Sequence, residues 1–222
     1  REFLLADLEA GSITTIFSES DPAWVVASYR KNAGLEWIRN GRAFLVISEK
    51  DGWRHAYIYS REGKEERLLT PGPYDIIEKV KIDEKRGWFY FHASPDNGTQ
   101  KYLYRVALDG SGKPERVTPE GRPGTHNYSF SPDARWAFHT YSTFDSPPVT
   151  DLVEFPGHRV VRNLEKNERV SQKMRSLLKR PTEFLELDIG DGVVMDAFMI
   201  TPSGFDPSKK YPVLVYVYGE PH

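Results

Sequence analysis

Hydrophobic and polar positions alternate in short runs along the first two-thirds of the chain. The runs are rich in aromatic and β-branched residues, and Gly, Pro, Asn or Asp stand between them. A period of two interrupted by turn residues is typical of β-hairpins, and a helical period is absent from this stretch. The pattern predicts an all-β fold for this part of the chain.

One hairpin-like piece recurs in this region. Its copies are Gly41–Ile47, Gly87–Phe91 and Ala134–His139, and successive copies start 46 and 47 residues apart. One four-stranded blade of a β-propeller occupies roughly 40–50 residues, so the repeat predicts propeller blades. The aromatic run within 88–91 is interpreted as core packing, although such a run could also line a ligand face.

A second element repeats in phase with the first. Residues 56–59 lead through a glycine turn to Thr70, and residues 102–106 lead in the same way to Thr118. The opening stretch, 3–16, matches the same outer pair of strands. We therefore expect at least two full blades between halves of others. Because a blade buries its faces only against its neighbours, and closed propellers have ~4–8 blades, we expect the chain to be a fragment cut at both ends.

The pattern changes after Leu164. The stretch 164–181 is polar and compatible with a helix, and Pro181 ends it. Alternation in 184–187 and 193–202 then predicts half-buried antiparallel strands. The nearly continuous apolar segment 212–218 predicts a strand that is buried on both faces, as in an α/β domain.

These patterns predict three parts. We expect the C-terminal blades of a propeller in 1–163, a linker with a helix in 164–181, and the start of an α/β domain in 182–222.

Composition excludes several classes of function. With 30 Lys and Arg against 32 Asp and Glu, the net charge is -2, and no basic stripe is present, so we expect no nucleic-acid partner. The chain has no cysteine, which rules out disulfides, a thiolate nucleophile and cysteine-bearing zinc sites. No apolar run approaches the roughly 18 residues of a membrane span. The histidines lack metal-ligand spacing, so we predict neither a metal nor a cofactor; they are His55, His92, His126, His139, His158 and His222.

Several short motifs carry a resemblance to a known family. They are Asp51-Gly52-Trp53-Arg54-His55, the run 202–207, Lys209-Lys210-Tyr211-Pro212 and the final segment 218–222. In this order the chain resembles the dipeptidyl peptidase IV branch of the prolyl oligopeptidase family, the S9 serine peptidases. The resemblance spans the whole chain. It implies a mainly β fold, in which a partial β-propeller of four-stranded antiparallel blades is followed by the first strands of an α/β-hydrolase domain.

The resemblance also implies an activity. Members remove a dipeptide of the X-Pro type from peptides with a free N-terminus, through an acyl-enzyme and an oxyanion hole. At the matching positions, Tyr218 would stabilise the oxyanion and Arg54 would bind substrate. From the residues alone, Tyr218 is equally a strand-end aromatic that caps a sheet, and Arg54 a surface arginine paired with a carboxylate. Glu220 stands where the family pattern has glycine.

The catalytic serine is missing from this chain. No Gly-x-Ser-x-Gly spacing occurs, and in the family order Ser, Asp and His would all follow His222, so we expect the fragment alone to be inactive. Glu65 and Glu66 are interpreted as a solvated hairpin edge, not as the family's ammonium-binding glutamates. By resemblance, the parent protein is expected to be extracytoplasmic and a homodimer.

Two other interpretations remain open. The parent could be a catalytically inactive propeller and hydrolase-like binding scaffold, which Glu220 mildly favours. It could also be a tripeptidyl or acylaminoacyl peptidase, since these relatives share the layout.

Overall fold

The computed structural model describes residues 1–25, 34–177 and 182–217, which belong to two compact units. The first unit comprises Arg1–Thr143 and Pro148–Lys166, and the second comprises Phe144–Pro147 and Asn167–His222. Each unit is described by itself below.

The first unit begins with two strands and one complete four-stranded sheet. The two strands, here called the N-terminal pair, are β1 (Glu2–Asp7) and β2 (Ser12–Ser18), which run antiparallel. The first blade contains β3 (Glu36–Ile38), β4 (Ala43–Ser48), β5 (His55–Ser60) and β6 (Glu65–Leu68).

Two further four-stranded sheets follow along the chain. The second blade contains β7 (Ile76–Asp83), β8 (Trp88–Ala93), β9 (Tyr102–Ala107) and β10 (Glu115–Arg116), and the third blade contains β11 (Thr125–Phe130), β12 (Trp136–Thr143), β13 (Ser146–Glu154) and β14 (Arg159–Glu165). In every blade the strands pair in chain order, as a meander. The predicted fold of four-stranded antiparallel blades is confirmed.

The sequence repeat corresponds to the second strand of each blade. Its copies coincide with β4, β8 and β12, and the first residue of each copy lies in the turn that enters the strand. Gly41, Gly87 and Ala134 all have left-handed φ angles, of 75°, 76° and 51°. The turn therefore requires a backbone conformation that glycine adopts without steric cost and alanine adopts with some strain.

The second repeat marks a side-chain hydrogen bond that closes the blade. The buried Thr70 hydroxyl accepts the Ala56 N–H at 2.9 Å, and the buried Thr118 hydroxyl accepts the Leu103 N–H at 2.9 Å. In both blades the threonine thus pairs with a backbone N–H of the third strand. This N–H lies one residue outside the pairing between the third and fourth strands. A buried unpaired N–H is costly, which explains why the same residue type stands at both places.

Blade-to-blade packing explains why the strand β4 is apolar from residue 43 to residue 47. Phe44 and Val46 pack against the N-terminal pair, whereas Leu45 and Ile47 pack against the second blade. Successive side chains of a strand point to opposite faces of the sheet, so a strand between two neighbours is buried on both faces.

The second blade repeats this arrangement with aromatic side chains. Phe89 and Phe91 are fully buried in the cluster shared with the first blade, and Tyr90 is buried in the cluster shared with the third. The interpretation of the 88–91 run as core packing is therefore correct.

The third blade is buried on one face within the described part of the chain. On β12, Ala137 and His139 are buried, whereas Phe138 between them is 54% exposed.

The second unit contains a helix and one antiparallel pair of strands. Helix α1 (Glu168–Leu177) lies within the stretch predicted to be helical, and β15 (Glu183–Asp188) pairs with β16 (Val194–Met199) where two strands were predicted. The Phe144 ring lies 6.0 Å from the Phe184 ring and 4.9 Å from the Phe198 ring, so these three aromatics hold the pair. That an α/β-hydrolase domain begins here stays a prediction.

The predicted third strand at 212–218 is not formed in its described part. Residues 211–217 have no regular structure, and Leu214 is 95% exposed. A strand buried on both faces needs neighbours on its edges and faces, and no described strand pairs with this segment. Apolar composition alone does not provide those partners.

Candidate functional site

Arg54, the predicted substrate-binding residue, lies in the loop between β4 and β5. Its backbone N–H donates to the Asp75 carboxylate at 2.7 Å, and its carbonyl accepts the Ile76 N–H at 2.8 Å. Both partners belong to the start of the second blade. The backbone of Arg54 is therefore held by the neighbouring blade, which limits where its side chain can reach.

The residues around Arg54 form an anchored turn. The buried His55 ring contacts the Asp51 carboxylate through Nδ1 at 2.8 Å and the Gly72 carbonyl through Nε2 at 3.0 Å. Partial burial raises the pKa of Asp51, but the hydrogen bonds from His55 and the Trp53 N–H oppose it, and that pKa is lowered overall. The Asp51–His55 motif thus has a structural cause, since it fixes the loop that presents Arg54.

A pocket of about 390 Å³ opens beside this loop. Its lining combines cationic, anionic and apolar side chains, and Trp24 in it is 71% exposed. The lining residues that the argument uses are Arg1, Glu19, Trp24, Ser48, Lys50 and Arg54.

Most charges of the pocket are already paired. Arg1 forms an ion pair with Glu19 at 2.8 Å, and Ser48 also donates to that carboxylate. The Lys50 ammonium contacts Glu65 and donates to the Tyr59 hydroxyl at 2.7 Å.

The guanidinium of Arg54 differs from these groups. Among residues 1–25, 34–177 and 182–217, none forms a side-chain hydrogen bond or an ion pair with it. A guanidinium carries five N–H donors in a planar fork that fits a carbonyl or carboxylate. The pocket can therefore bind a polar oxygen of a ligand at Arg54, next to the exposed Trp24 ring.

The second predicted site residue lies outside the described residues. Tyr218 follows residue 217, as does Glu220, which stands where the family pattern has glycine. The oxyanion role of Tyr218 therefore stays a prediction.

The glutamates Glu65 and Glu66 lie on β6, an edge strand of the first blade. Glu65 accepts the Tyr59 hydroxyl at 2.9 Å and contacts Lys50, while Glu66 pairs with Arg39 at 2.6 Å. Both carboxylates are exposed and have partners within the blade, as expected for a solvated hairpin edge.

The histidines form a feature that sequence reasoning missed. His92, His126, His139 and His158 are buried near one another between the second and third blades. No group of three His, Asp or Glu that could hold a metal occurs among the residues that the structure describes. The strand phase offered a signal, because His92 and His139 occupy inward-facing positions of β8 and β12.

The fold defines the class of protein. Stacked four-stranded antiparallel blades are the architecture of a β-propeller domain. Residues 1–148 match the family model described as "Dipeptidyl peptidase IV (DPP IV) N-terminal region". The chain belongs to this family, which confirms the resemblance seen in the sequence.

Similar proteins carry peptidase names. A protein of Aspergillus oryzae named "Probable dipeptidyl-aminopeptidase B" is 31% identical over 208 residues, covering 90% of this chain and 23% of that protein. The "Dipeptidyl peptidase 4" of Trichophyton equinum is 26% identical over 183 residues, covering 82% of this chain and 24% of its own length. The chain thus spans about a quarter of the length of these relatives.

A solved structure shows the same fold. The crystal structure of Porphyromonas gingivalis dipeptidyl peptidase 4 superposes with a TM-score of 0.81 at 23% identity, covering 95% of this chain and 29% of that one. Among the described residues, no helix has the length and apolar character that crossing a membrane requires.

Proposed function

We propose that this chain is part of a serine exopeptidase that releases X-Pro dipeptides from peptides with a free N-terminus. The family match over residues 1–148 supports a peptidase of this type. The observation that carries the binding role is the Arg54 guanidinium, which faces a pocket without a described side-chain partner.

Arg54 is proposed to bind the peptide backbone of the substrate. Its fork of N–H groups suits a peptide carbonyl, and a charge-assisted hydrogen bond of this kind contributes about 1.5–3 kcal/mol. The anchored Asp51–His55 turn would hold Arg54 in place before substrate arrives, so that little ordering accompanies binding.

Tyr218 is proposed to donate to the oxyanion of the acyl-transfer step. Negative charge develops on the carbonyl oxygen in the transition state, and a prepositioned donor there is worth ~2.7–4 kcal/mol. The Ser-Asp-His triad of the family order would follow residue 222, so the isolated chain is expected to be inactive.

The test is hydrolysis of a Gly-Pro chromogenic amide and of a longer Gly-Pro peptide by the full-length protein. We expect Arg54→Gln to lower kcat/KM for the longer peptide about ten- to a hundredfold, mainly through KM, by loss of one charged hydrogen bond. Tyr218→Phe should lower kcat about 10²–10³-fold.

Arg135→Gln is the matched control, since Arg135 is an exposed arginine of the third blade and does not line the pocket. Equal kinetics of the Arg54→Gln and Arg135→Gln variants would remove Arg54 from the substrate site. A parent that folds but hydrolyses no peptide would support the inactive scaffold, for which Glu220 is the specific observation.

Product analysis separates the remaining peptidase alternatives. Mass spectrometry of a digested decapeptide shows whether the first fragment has two or three residues, and a blocked N-terminus tests for acylaminoacyl release. We further propose an extracytoplasmic homodimer acting on peptides, which light scattering of the purified parent and fractionation of producing cells test directly.

A further inference from the structure

The boundary between the second and third blades contains a buried cluster of imidazoles. His126 lies on β11, His139 on β12 and His158 in the turn before β14, while His92 reaches the boundary from β8 of the second blade. His126 and His139 are fully buried, and His92 is 1% exposed. This cluster is separate from the Arg54 pocket, and the proposed peptidase function does not use it.

The rings of the cluster pack closely. The His126 and His139 rings are parallel with centroids 5.1 Å apart, and Tyr128 stacks on His139 at 4.5 Å. His158 meets the His139 ring edge-on at 5.1 Å. The imidazoles thus occupy positions that apolar side chains occupy at the boundary between the first and second blades.

Neutral rings satisfy the hydrogen bonds within the cluster. The Arg122 carbonyl can only accept, so His126 donates to it from Nε2 at 2.8 Å. A neutral His126 then accepts at Nδ1, where His139 donates from Nε2 at 2.8 Å. In this directional chain a second proton on His139 would fall on Nδ1, which has no hydrogen-bond partner.

A proton added to His139, His158 or His92 at the ring nitrogen that has no hydrogen-bond partner would find no acceptor. His139 Nδ1, His158 Nδ1 and His92 Nε2 are buried and have no hydrogen-bond partner. Protonation of His139 would therefore create a buried N–H and a buried charge, neither of which is compensated.

Charged groups around the cluster oppose protonation on balance. Three cations and two carboxylates face the cluster. One of these carboxylates, Asp151, accepts a hydrogen bond from the Asn163 amide at 2.8 Å and lies 3.9 Å from the Arg122 guanidinium. Element by element, the titratable groups that face the imidazoles are Glu78 on β7, Lys101 before β9, Tyr102 on β9, Arg116 on β10, Arg122 before β11, Tyr128 on β11, Tyr141 on β12 and Asp151 on β13.

Burial and these cations lower the histidine pKa values. The pKa of His126 falls from 6.5 to about 4 and that of His139 to about 3, in both cases mainly through burial. The pKa of His92 and that of His158 are also lowered, again mainly by burial. All these rings are neutral when the blade is closed at pH 7.

His55 in the first blade shows the opposite environment. Its two ring nitrogens contact only acceptors, the Asp51 carboxylate and the Gly72 carbonyl. A buried histidine in this fold can therefore be surrounded by acceptors, and the third-blade cluster is not.

We propose that the His126–His139–His158 cluster makes the third blade acid-sensitive, so that mild acid opens this blade locally while the first and second blades stay closed. The opened segment would be β11 to β13, whose inner face carries the cluster. Local opening of single elements is common in proteins, and blades that contact only their neighbours favour it.

The direction of the effect follows from proton linkage. An exposed histidine binds a proton near pH 6.5, whereas these histidines in the closed blade do not until the pH is much lower. Closed-blade stability is therefore complete above pH 6.5 and is lost as the pH falls from 6.5 towards 4. His126 and His139 each change the opening constant by up to tenfold per pH unit, or about 30-fold at pH 5.

Hydrogen exchange of the full-length protein tests the proposal. Exchange is measured at pH 7.5 and pH 5.0 and corrected for the intrinsic rate, with mass spectrometry of peptides that cover β11–β13 and β3–β6. We expect the opening constant of β11–β13 to rise at least 30-fold at pH 5.0 relative to β3–β6. Equal pH responses of the two blades would overturn the proposal without any variant.

The substitution His139→Gln provides a second test. The glutamine amide can donate to His126 as Nε2 did, but it does not titrate near neutral pH. We expect the acid response of β11–β13 to fall about 30-fold in this variant, because one titrating group is removed. His55→Gln is the control and should leave the third-blade response unchanged. An unaltered acid response in His139→Gln would show that the cluster is not its origin.

Discussion

The two boundaries between complete blades have different cores. Between the first and second blades the core is apolar and aromatic, with Leu45, Ile58 and Phe91 fully buried. Between the second and third blades the core contains Tyr90 and Phe155 next to the histidine cluster. The space between two blades is therefore filled by side chains at both boundaries. These side chains can include polar rings where the rings form hydrogen bonds with one another.

Strand β8 contributes to both boundaries. Phe89 and Phe91 point towards the first blade, and Tyr90 and His92 belong to the side that meets the third. Because side chains alternate along a strand, this six-residue strand presents apolar rings on one face and polar rings on the other. The core of the first boundary is apolar and aromatic, whereas the second boundary also contains imidazoles, whose protonation is proposed to weaken it.

The largest expected loss of stability is that of Phe91→Ala, and it is compared with the loss caused by the same change at an exposed phenylalanine. Phe91 is fully buried, so we expect this change to lower the free energy of unfolding by about 3–5 kcal/mol. Phe138 occupies an outward position on the second strand of the third blade and is 54% exposed. We expect Phe138→Ala to cost below ~1 kcal/mol. Denaturant titration of both full-length variants measures this, and equal costs would show that the outward face of the third blade is covered in the full-length protein.

The next largest effect concerns the threonines that close the blades. Thr118→Val should cost about 1–3 kcal/mol, because the Leu103 N–H loses its acceptor in a buried place. Thr118 also contacts the Tyr128 hydroxyl at 3.1 Å, which links it to the third blade, whereas Thr70 serves the first blade alone.

Thr118→Val should therefore lower the stability of the protein more than Thr70→Val does. The stability of Thr118→Ser should remain close to that of the unsubstituted protein. Thermal unfolding of the three variants compares them. A serine variant as unstable as the valine variant would show that the methyl group matters and the hydroxyl does not.

The smallest effect concerns the repeated turn. Gly87 has a φ of 76°, and an added Cβ would meet no atom within 4 Å, so Gly87→Ala introduces backbone strain alone. We expect a loss of about 1–2 kcal/mol. Gly157 is the control, since it is also open but does not lie in the left-handed region, and Gly157→Ala should change stability by less than ~0.5 kcal/mol. Similar effects at both positions would refute the left-handed requirement of the turn.

The blades could be predicted because their determinants are local. The alternation, the turn residue at Gly41 and Gly87 and the closing Thr70 and Thr118 all act within one repeat of the chain. The prediction at 212–218 was wrong over its described part for the opposite reason. A buried strand is defined by the partners around it, and those are not specified by its own apolar residues.

The sequence singled out one residue of the candidate pocket, Arg54, whose substrate-binding role stays a prediction. Arg54 was found through its motif, and the structure places it at a pocket; Trp24 and Lys50 lie 30 and 4 residues away in the chain and were not connected with it. The histidine cluster was missed because its members are dispersed over more than sixty residues, and each of them alone is an ordinary strand position.

What this sequence determined by itself is the blade: its strands, its turns and the residue that closes it, since these depend on period, backbone sterics and nearby hydrogen bonds. The tertiary structure alone decided what each face of a blade meets. In the folded chain Arg54 lines a pocket, and the His55 ring contacts two hydrogen-bond acceptors. His139 Nδ1 is buried in the core without a hydrogen-bond partner. The environment of a side chain depends on residues distant in the chain, so its charge state and chemistry are properties of the packed blades.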